Sequence, residues 1–178
     1  MSSDFKTKNK IDTDELQLFE KLLIPIYTDL YRFILSIIRD EYLAEDILQE
    51  TTIIAYKNFH TSKDKAKFKT WCFTIAKREA MNMRKKTIRE ILMTPAQYQN
   101  LIKTAIFEDS PDIMTHIAIA EAIKTLPTEY RSIINLVYGS GLSLKNTAQI
   151  MKSNYNTVKS KHRRALQKIR QTLKASVK

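Results

Sequence analysis

A chain of 178 residues with two glycines and four prolines has little material for hairpin turns, so its 43% hydrophobic residues are expected to build helices. The longest apolar run, residues 22–27, is too short to span a bilayer, the first ten residues do not form a secretory signal, and one cysteine excludes a disulfide framework. The net charge of +11 predicts an acidic partner. Nucleic acid is favoured over a membrane because the basic helices carry Asn and Ser and lack an inserting Trp/Phe face. We therefore predict an all-α, cytoplasmic protein without membrane insertion.

Four helices are predicted in the first half of the chain, after a disordered segment at residues 1–10. The first begins near residue 12 and reaches Pro25, which is expected to be a helix boundary or a helix start because proline disrupts a helix interior. Apolar residues at helical spacing then continue over residues 27–38. The third helix is predicted over residues 43–59 and the fourth over residues 68–86.

The third predicted helix carries an acidic and polar group near its start, formed by Glu45, Asp46 and Glu50 beside Gln49. Carboxylates in the first turn of a helix are stabilised by the helix dipole, so simple capping explains them. A docking face for a basic protein explains them equally well. The pattern alone leaves both interpretations open.

Residues 63–86 form the first basic segment, with nine basic and two acidic residues and with Phe68, Trp71 and Phe73 among them. Exposed rings beside basic groups hold unpaired bases by stacking, at about 1–3 kcal/mol per base. Aromatic residues at helical spacing also pack in cores, and Trp71 could pack against the second and third helices. Both interpretations stay open.

The basic bias ends after this segment, which predicts a flexible linker at residues 88–112 with a possible helical turn at residues 98–106. Helices are then predicted over residues 113–124 and 130–138, with Gly139 and Gly141 as C-terminal stops. These boundaries predict two small helical domains at residues 11–87 and 113–174.

A helix–turn–helix pattern follows at the strongest charge bias in the chain. Ser143 is a good N-cap for a short helix, residues 152–154 interrupt the pattern, and a second helix begins near Tyr155. Residues 141–178 contain ten basic residues and no Asp or Glu. A basic polar face on the second helix suits the major groove of DNA. The alternative is a solvated basic helix without a ligand.

Catalytic and metal-binding patterns are missing from the sequence. His60, His116 and His162 lack ligand spacing to one another or to Cys72, and there is no glycine-rich phosphate loop or nucleophile elbow. We therefore predict a binding protein with no catalytic residue, no metal and no cofactor. Cys72 is expected to be a buried thiol, and His162 a packed, hydrogen-bonded side chain.

Two blocks of sequence together resemble one family. Residues 31–86 contain YRFILSI, AEDILQET and FKTWCFTIAKREA, and residues 122–173 contain AIKTLPTEYRSIINL, GLSLKNTAQIM and NTVKSKHRRALQKIR. They are similar to the second and fourth conserved regions of the extracytoplasmic-function (ECF, group 4) sigma factors of bacterial RNA polymerase, in the same order. The resemblance implies an alternative sigma factor that binds core RNA polymerase, recognises promoter DNA and directs transcription initiation at a specific regulon, with an anti-sigma factor as a further partner.

The resemblance also implies roles for residues. The docking face for the polymerase clamp would be Asp46, Gln49 and Glu50, which favours docking over capping. The loop and helix that melt the downstream promoter element and capture a flipped base of the non-template strand would contribute Lys63, Lys65, Lys67, Phe68, Lys69, Trp71, Lys77, Arg78 and Met81. The recognition helix for the upstream element in duplex DNA would contribute Asn154, Asn156, Thr157, Lys159, Ser160, Lys161, Arg163 and Arg164.

The chain departs from the family pattern at several of these positions. Arg78 and Asn82 stand where members usually have Asn and Asp, which predicts an altered downstream base preference. In the second block, Lys152 and Asn156 replace glycines, and Ser153 and His162 replace apolar residues, which predicts an unusual upstream sequence. Lys152 is strained if its φ is positive.

Two rival functions remain compatible with parts of the pattern. A stand-alone helix–turn–helix regulator would bind duplex DNA as a dimer, but it has no need of the first block. A nucleoid-type basic protein would bind any DNA with a steep salt dependence, about −0.9 per phosphate neutralised, but it leaves the acidic helix unexplained.

Overall fold

In a computed structural model, which describes residues 13–61, 64–91 and 113–176, the chain is helical and has no strand within those ranges. Two 3₁₀ turns, Phe59–Thr61 and Lys65–Lys67, and a π-helical turn, Asn135–Gly139, accompany the α-helices. No helix in this part of the chain is long and apolar enough to cross a bilayer. The α-helices are α1 Thr13–Ile38, α2 Glu41–Lys57, α3 Phe68–Ile91, α4 Ile113–Lys124, α5 Thr128–Ile134, α6 Leu144–Met151 and α7 Tyr155–Ser176.

The first helix is one continuous element, so the predicted boundary at Pro25 is wrong. The ring of Pro25 is exposed, and the carbonyl that its missing N–H leaves without a helical partner belongs to Lys21, which is also an exposed residue. Buried side chains lie on both sides of it, from Phe19 to Ile37, along one face of the helix. Burial of this face therefore outweighs the local cost of proline.

Helices α1, α2 and α3 pack into a bundle with an aromatic core. The rings of Phe33 and Phe73 lie 5.4 Å apart at its centre, and Phe19 contacts Phe59 edge-on at 5.2 Å. Cys72 is fully buried, as predicted, and burial raises the pKa of its thiol to about 12. The thiol is therefore an inert part of the core.

The second half of the described chain contains the predicted helix–turn–helix. Ser143 accepts a hydrogen bond from the backbone N–H of Asn146 at 3.1 Å, which confirms it as the N-cap of α6. Asn154 accepts one from the N–H of Thr157 at 2.7 Å at the start of α7. The predicted helix over residues 130–138 starts earlier, at Thr128, and its last turn widens into a π-helix. Residues 98–106, where a helical turn was predicted, lie outside the described ranges.

The turn between α6 and α7 is strained at Lys152, which adopts the left-handed conformation with φ of 50° and ψ of 47°. Left-handed backbone costs a non-glycine residue roughly 1–2 kcal/mol.

We expect Lys152→Gly to raise the free energy of unfolding by up to about 1 kcal/mol, measured by urea denaturation. Lys168→Gly, at an exposed interior position of α7, is the matched control and should lower it by about 1 kcal/mol. A destabilising Lys152→Gly would contradict the strain.

Candidate nucleic-acid and protein interfaces

Helix α7 presents a basic, polar face to solvent and an apolar face to the rest of the protein. Val158 and Ala165 are buried against α4, α5 and α6. The opposite face carries most of the predicted reading residues in exposed positions: Asn154, Asn156, Lys159, Ser160, Arg163 and Arg164. The other two, Thr157 and Lys161, are half-buried.

A shallow depression of about 690 Å³ lies along the start of this face. Tyr155 is 47% exposed at its edge, and sequence reasoning missed it because a tyrosine that opens a helix carries no pattern of its own. Lys161 pairs with Glu129 of α5, which holds its ammonium group beside the depression. The arrangement offers amide, hydroxyl and guanidinium groups on one helix face, which suits base edges and phosphates.

His162 is packed, as predicted, but it is not fully hydrogen-bonded. Its ring stacks on that of Tyr138, with centroids 5.6 Å apart and planes 19° apart. Its Nε2 is buried and has no hydrogen-bond partner among the described residues, and burial lowers the pKa of the imidazole. The histidine is therefore a packing residue behind the basic face.

The basic residues at the start of α3 are mostly engaged with the protein itself. The Nζ of Lys65 donates to the carbonyl of Phe59 at 2.6 Å and lies 3.3 Å from the centroid of that ring. Lys67 pairs with Asp64 at 2.7 Å. Lys69 lies 3.4 Å from Asp29 of α1. Lys63 is outside the described ranges. These partners fix where the ammonium groups lie, at the edge of the bundle.

Further along α3, Lys77 and Arg78 have different surroundings. The Nζ of Lys77 donates to the carbonyl of Met151 at 3.0 Å, and burial together with the nearby Lys152 lowers the pKa of the ammonium. Arg78 is exposed and pairs with Glu79 at 2.7 Å. Met81 is partly buried against the core. Of these three residues, only Arg78 is exposed.

The aromatic residues of α3 are mostly in the core. Phe68 is 2% exposed and contacts Phe19 edge-on at 5.7 Å, and Phe73 is fully buried. Packing on Phe19 therefore makes Phe68 a core residue in this conformation, and its contact with DNA stays a prediction. Trp71 is partly buried 6.0 Å from Phe68 and keeps some surface. Trp71 is thus the one candidate ring for stacking among the described residues of α3.

Helix α2 carries the acidic face. Asp40 caps the helix by accepting from the N–H of Leu43 at 2.9 Å, so capping does not explain Asp46 or Glu50, which lie beyond the first turn. Asp46, Gln49 and Glu50 are all exposed. The carboxylates of Asp46 and Glu50 form no salt bridge with another described residue.

Two apolar side chains that sequence reasoning missed lie on the same face of α2. Tyr42 is 79% exposed and Ile53 is 45% exposed. The spacing 42, 46, 49 and 53 at three- and four-residue steps was the signal that could have found them. A cleft of about 420 Å³ between α2 and α3 borders this face and is lined by Asp46, Ile47, Glu50, Glu79, Asn82, Met83 and Lys86.

Comparison with known proteins matches both halves of the chain. The family model for Sigma-70 region 2 matches residues 25–90, and the model for Sigma-70 region 4 matches residues 116–169. The ECF RNA polymerase sigma factor SigM of Bacillus subtilis is 31% identical over 142 residues, which covers 80% of this chain and 86% of SigM. SigX of the same organism is 26% identical and covers 86% of this chain and 82% of SigX.

A solved structure supports the fold independently. The sigma factor RpoE from Bartonella quintana, crystallised with the anti-sigma factor NepR, superposes with a TM-score of 0.77 at 24% identity, over 89% of this chain and 98% of RpoE. The region 2 match contains the acidic face of α2, and the region 4 match contains the basic face of α7. The chain belongs to the ECF sigma factors of bacterial RNA polymerase, within the sigma-70 family.

Proposed function

We propose that this sigma factor divides its function among three surfaces, each on a different helix. As a member of its family it binds RNA polymerase, recognises promoter DNA and directs transcription initiation. The observation that carries the division is that an exposed acidic face on α2 and an exposed basic face on α7 coexist in one chain. A stand-alone dimeric regulator would need only the basic face on α7.

The face of α2 formed by Asp46, Gln49 and Glu50 is the proposed docking surface for the polymerase clamp. Its carboxylates are exposed and form no ion pair with a described residue, so they can approach a basic partner without first breaking a described ion pair. Tyr42 and Ile53 flank them and supply apolar contact area. Charge would guide the encounter, and the apolar groups would lengthen the lifetime of the complex.

Replacing Asp46 and Glu50 together by alanine is expected to weaken binding to core polymerase by at least tenfold. Truncating charged groups at an interface costs about 2–5 kcal/mol when their partners are left buried and unpaired. Glu20→Ala with Glu121→Ala removes the same charge from other exposed positions and should leave affinity within about twofold. Competition for core polymerase against a labelled sigma factor measures both. Equal affinities for the two double variants would refute the docking assignment.

The start of α3 is the proposed surface for the melted non-template strand. Lys65, Lys67 and Lys69 line the edge of the bundle, with Lys63 just before them in the sequence, and Trp71 keeps an accessible part of its ring. Lys77, Arg78 and Met81 continue along the helix. Basic groups next to a ring offset the cost of unstacking a base, which is a few kcal/mol. Arg78 and Asn82 would set the downstream base preference.

The exposed face of α7 is the proposed reader of the upstream element in duplex DNA. Asn156, Ser160 and Arg164 share the depression at its start, where side chains can reach base edges. Asn154 uses its side-chain oxygen to cap the helix, so its contribution would be to position α7. The two domains proposed to carry these functions are residues 11–87 and 113–174.

Three further properties belong to this proposal. The protein has no catalysis of its own, because the chemistry of initiation belongs to the polymerase. It acts in the cytoplasm, where the polymerase is. An anti-sigma factor is its expected regulator, since the structurally similar RpoE was solved with the anti-sigma factor NepR and CnrH with the cytosolic domain of CnrY.

A further inference from the structure

A carboxylate from another helix lies beside the basic face of α7. Residues 141–178 contain no Asp or Glu, so α7 itself supplies none. Glu129, in the first turn of α5, pairs with Lys161 across 32 positions of sequence. The dipole of α5 favours an acidic residue at this position whatever lies nearby, but it does not account for the contact with α7.

Lys161 differs from the other basic residues at the start of α7. Lys159, Arg163 and Arg164 are exposed, and none of the three forms a salt bridge with another residue in the part of the chain that the structure describes. The side chain of Lys161 is 27% exposed, and that of Glu129 is 49% exposed. The two opposite charges cancel at short range, so Lys161 adds almost no net charge to the face on which it lies.

The ion pair lies at the depression at the start of α7. Lys161 lines this depression together with Asn156, Ser160 and Arg164, whose side chains can reach base edges. A free ammonium group at this place would bind phosphate on any duplex, because the DNA backbone carries the same charge whatever its sequence. A free Lys161 would therefore strengthen binding to every duplex without improving discrimination between them.

A contribution to folding does not by itself explain the ion pair. A salt bridge between partly exposed side chains adds little to stability, because water screens the charges and both side chains lose rotamer freedom. The contact between Glu129 and Lys161 therefore matters more for binding than for folding. Its effect on the basic face of α7 is to remove one unit of positive charge.

We infer that Glu129 is a specificity-determining residue, which restrains binding of α7 to DNA of arbitrary sequence by holding Lys161 in an ion pair. In a promoter complex, base contacts would fix the register of α7, and Lys161 beside the depression would face the groove. On other duplexes no base contact fixes the helix, so a free ammonium group could settle on a phosphate. The inference rests on the proposed function of α7 as the reader of duplex DNA.

The salt dependence of binding to a scrambled duplex tests the restraint in the full chain. Glu129→Gln frees Lys161 for one more phosphate contact. The slope of log affinity against log salt should therefore steepen by about 0.9, and affinity at about 0.1 M salt should rise roughly eightfold. Fluorescence anisotropy of a fluorescein-labelled duplex measures both quantities. An unchanged slope for Glu129→Gln would overturn the inference.

Two further variants show whether Lys161 is the source of the added affinity. Glu121→Gln is the matched control, because it also frees a lysine, Lys124, but on α4, which packs against the buried side of α7. It should leave the slope unchanged. Glu129→Gln with Lys161→Gln removes both charges of the pair, so slope and affinity should return to within about twofold of the wild type. A double variant that keeps the raised affinity would show that Lys161 is not the group held back.

A promoter duplex separates the inference from the proposed function. The probe is a duplex selected from a random-sequence pool by the wild-type protein in complex with core polymerase. Glu129→Gln should raise affinity for this duplex by less than for the scrambled one, so the ratio of the two affinities should fall. An equal gain on both duplexes would overturn the specificity role. If selection returns no preferred sequence, the proposed reading function of α7 fails, and the salt slopes on the scrambled duplex still decide whether Glu129 restrains Lys161.

Discussion

Replacing Arg163 and Arg164 together by alanine is expected to abolish initiation at the cognate promoter while leaving polymerase binding unchanged. Both guanidinium groups are exposed on the basic face of α7, on the side opposite the buried Val158 and Ala165. A good bidentate contact with a base is worth about 1–3 kcal/mol, so losing two lowers promoter affinity by roughly 30-fold or more. Run-off transcription with purified core polymerase measures the result.

A second double variant at the same positions separates base recognition from charge. Arg163→Lys with Arg164→Lys keeps both positive charges but removes the planar fork that pairs with guanine, so it should bind non-specific DNA normally and lose promoter preference. On non-specific DNA, where the two guanidinium groups face phosphates, their loss in the alanine variant should reduce the slope of log affinity against log salt by about 1.8. Full promoter activity in the alanine variant would show that α7 does not read the upstream element.

Phe73→Ala is expected to lower the free energy of unfolding by about 3–5 kcal/mol, a large share of the stability of a small domain. Phe73 is fully buried 5.4 Å from the ring of Phe33, and the tightly packed bundle cannot collapse into the space that its removal leaves. Urea denaturation followed by far-UV circular dichroism measures the change.

The matched control for this core position is an exposed aromatic residue of the same bundle. Tyr42→Ala removes a ring that is 79% exposed on α2, so it should change stability by no more than about 0.5 kcal/mol. The two substitutions differ in burial far more than in the size of the side chain. A loss of less than about 1 kcal/mol for Phe73→Ala would contradict the position assigned to this ring.

Local sequence signals predicted the elements that depend on local chemistry. Ser143 was predicted as an N-cap from its residue type and position, and its hydroxyl accepts the expected bond. The helix over residues 113–124 has the predicted bounds because no competing signal interrupts its apolar pattern. Cys72, between two aromatic residues, was predicted to be buried and is.

The predictions from sequence were wrong or incomplete where tertiary packing determines the position of a residue. Proline disfavours the interior of a helix in any sequence. Here the buried apolar side chains on both sides of Pro25 keep the helix continuous. Phe68 could have been a stacking platform or a core residue, and only the neighbouring rings of Phe19 and Phe59 place it in the core. His162 packs as predicted against the ring of Tyr138, but its Nε2 has no hydrogen-bond partner in the part of the chain that the structure describes.

The contacts between the two halves could not have been predicted from the pattern. Arg131 and Ser36 are 95 positions apart in the sequence, and nothing near either residue indicates that a guanidinium will meet a helix end. Lys77 fits a nucleic-acid surface by composition, and only its distance to Met151 shows that it also binds the second region. The sequence therefore identifies side chains that can bind nucleic acid, and the structure shows which of them already contact another part of the protein.

Co-purification of bacterial core RNA polymerase with this protein at moderate salt, followed by gel filtration, tests the central claim most directly. The account predicts a stable complex with one copy of the protein per polymerase, which the Asp46→Ala, Glu50→Ala variant forms much less well than the Glu20→Ala, Glu121→Ala control. If no complex forms under conditions in which another ECF sigma factor binds the same polymerase, the assignment as a sigma factor is contradicted.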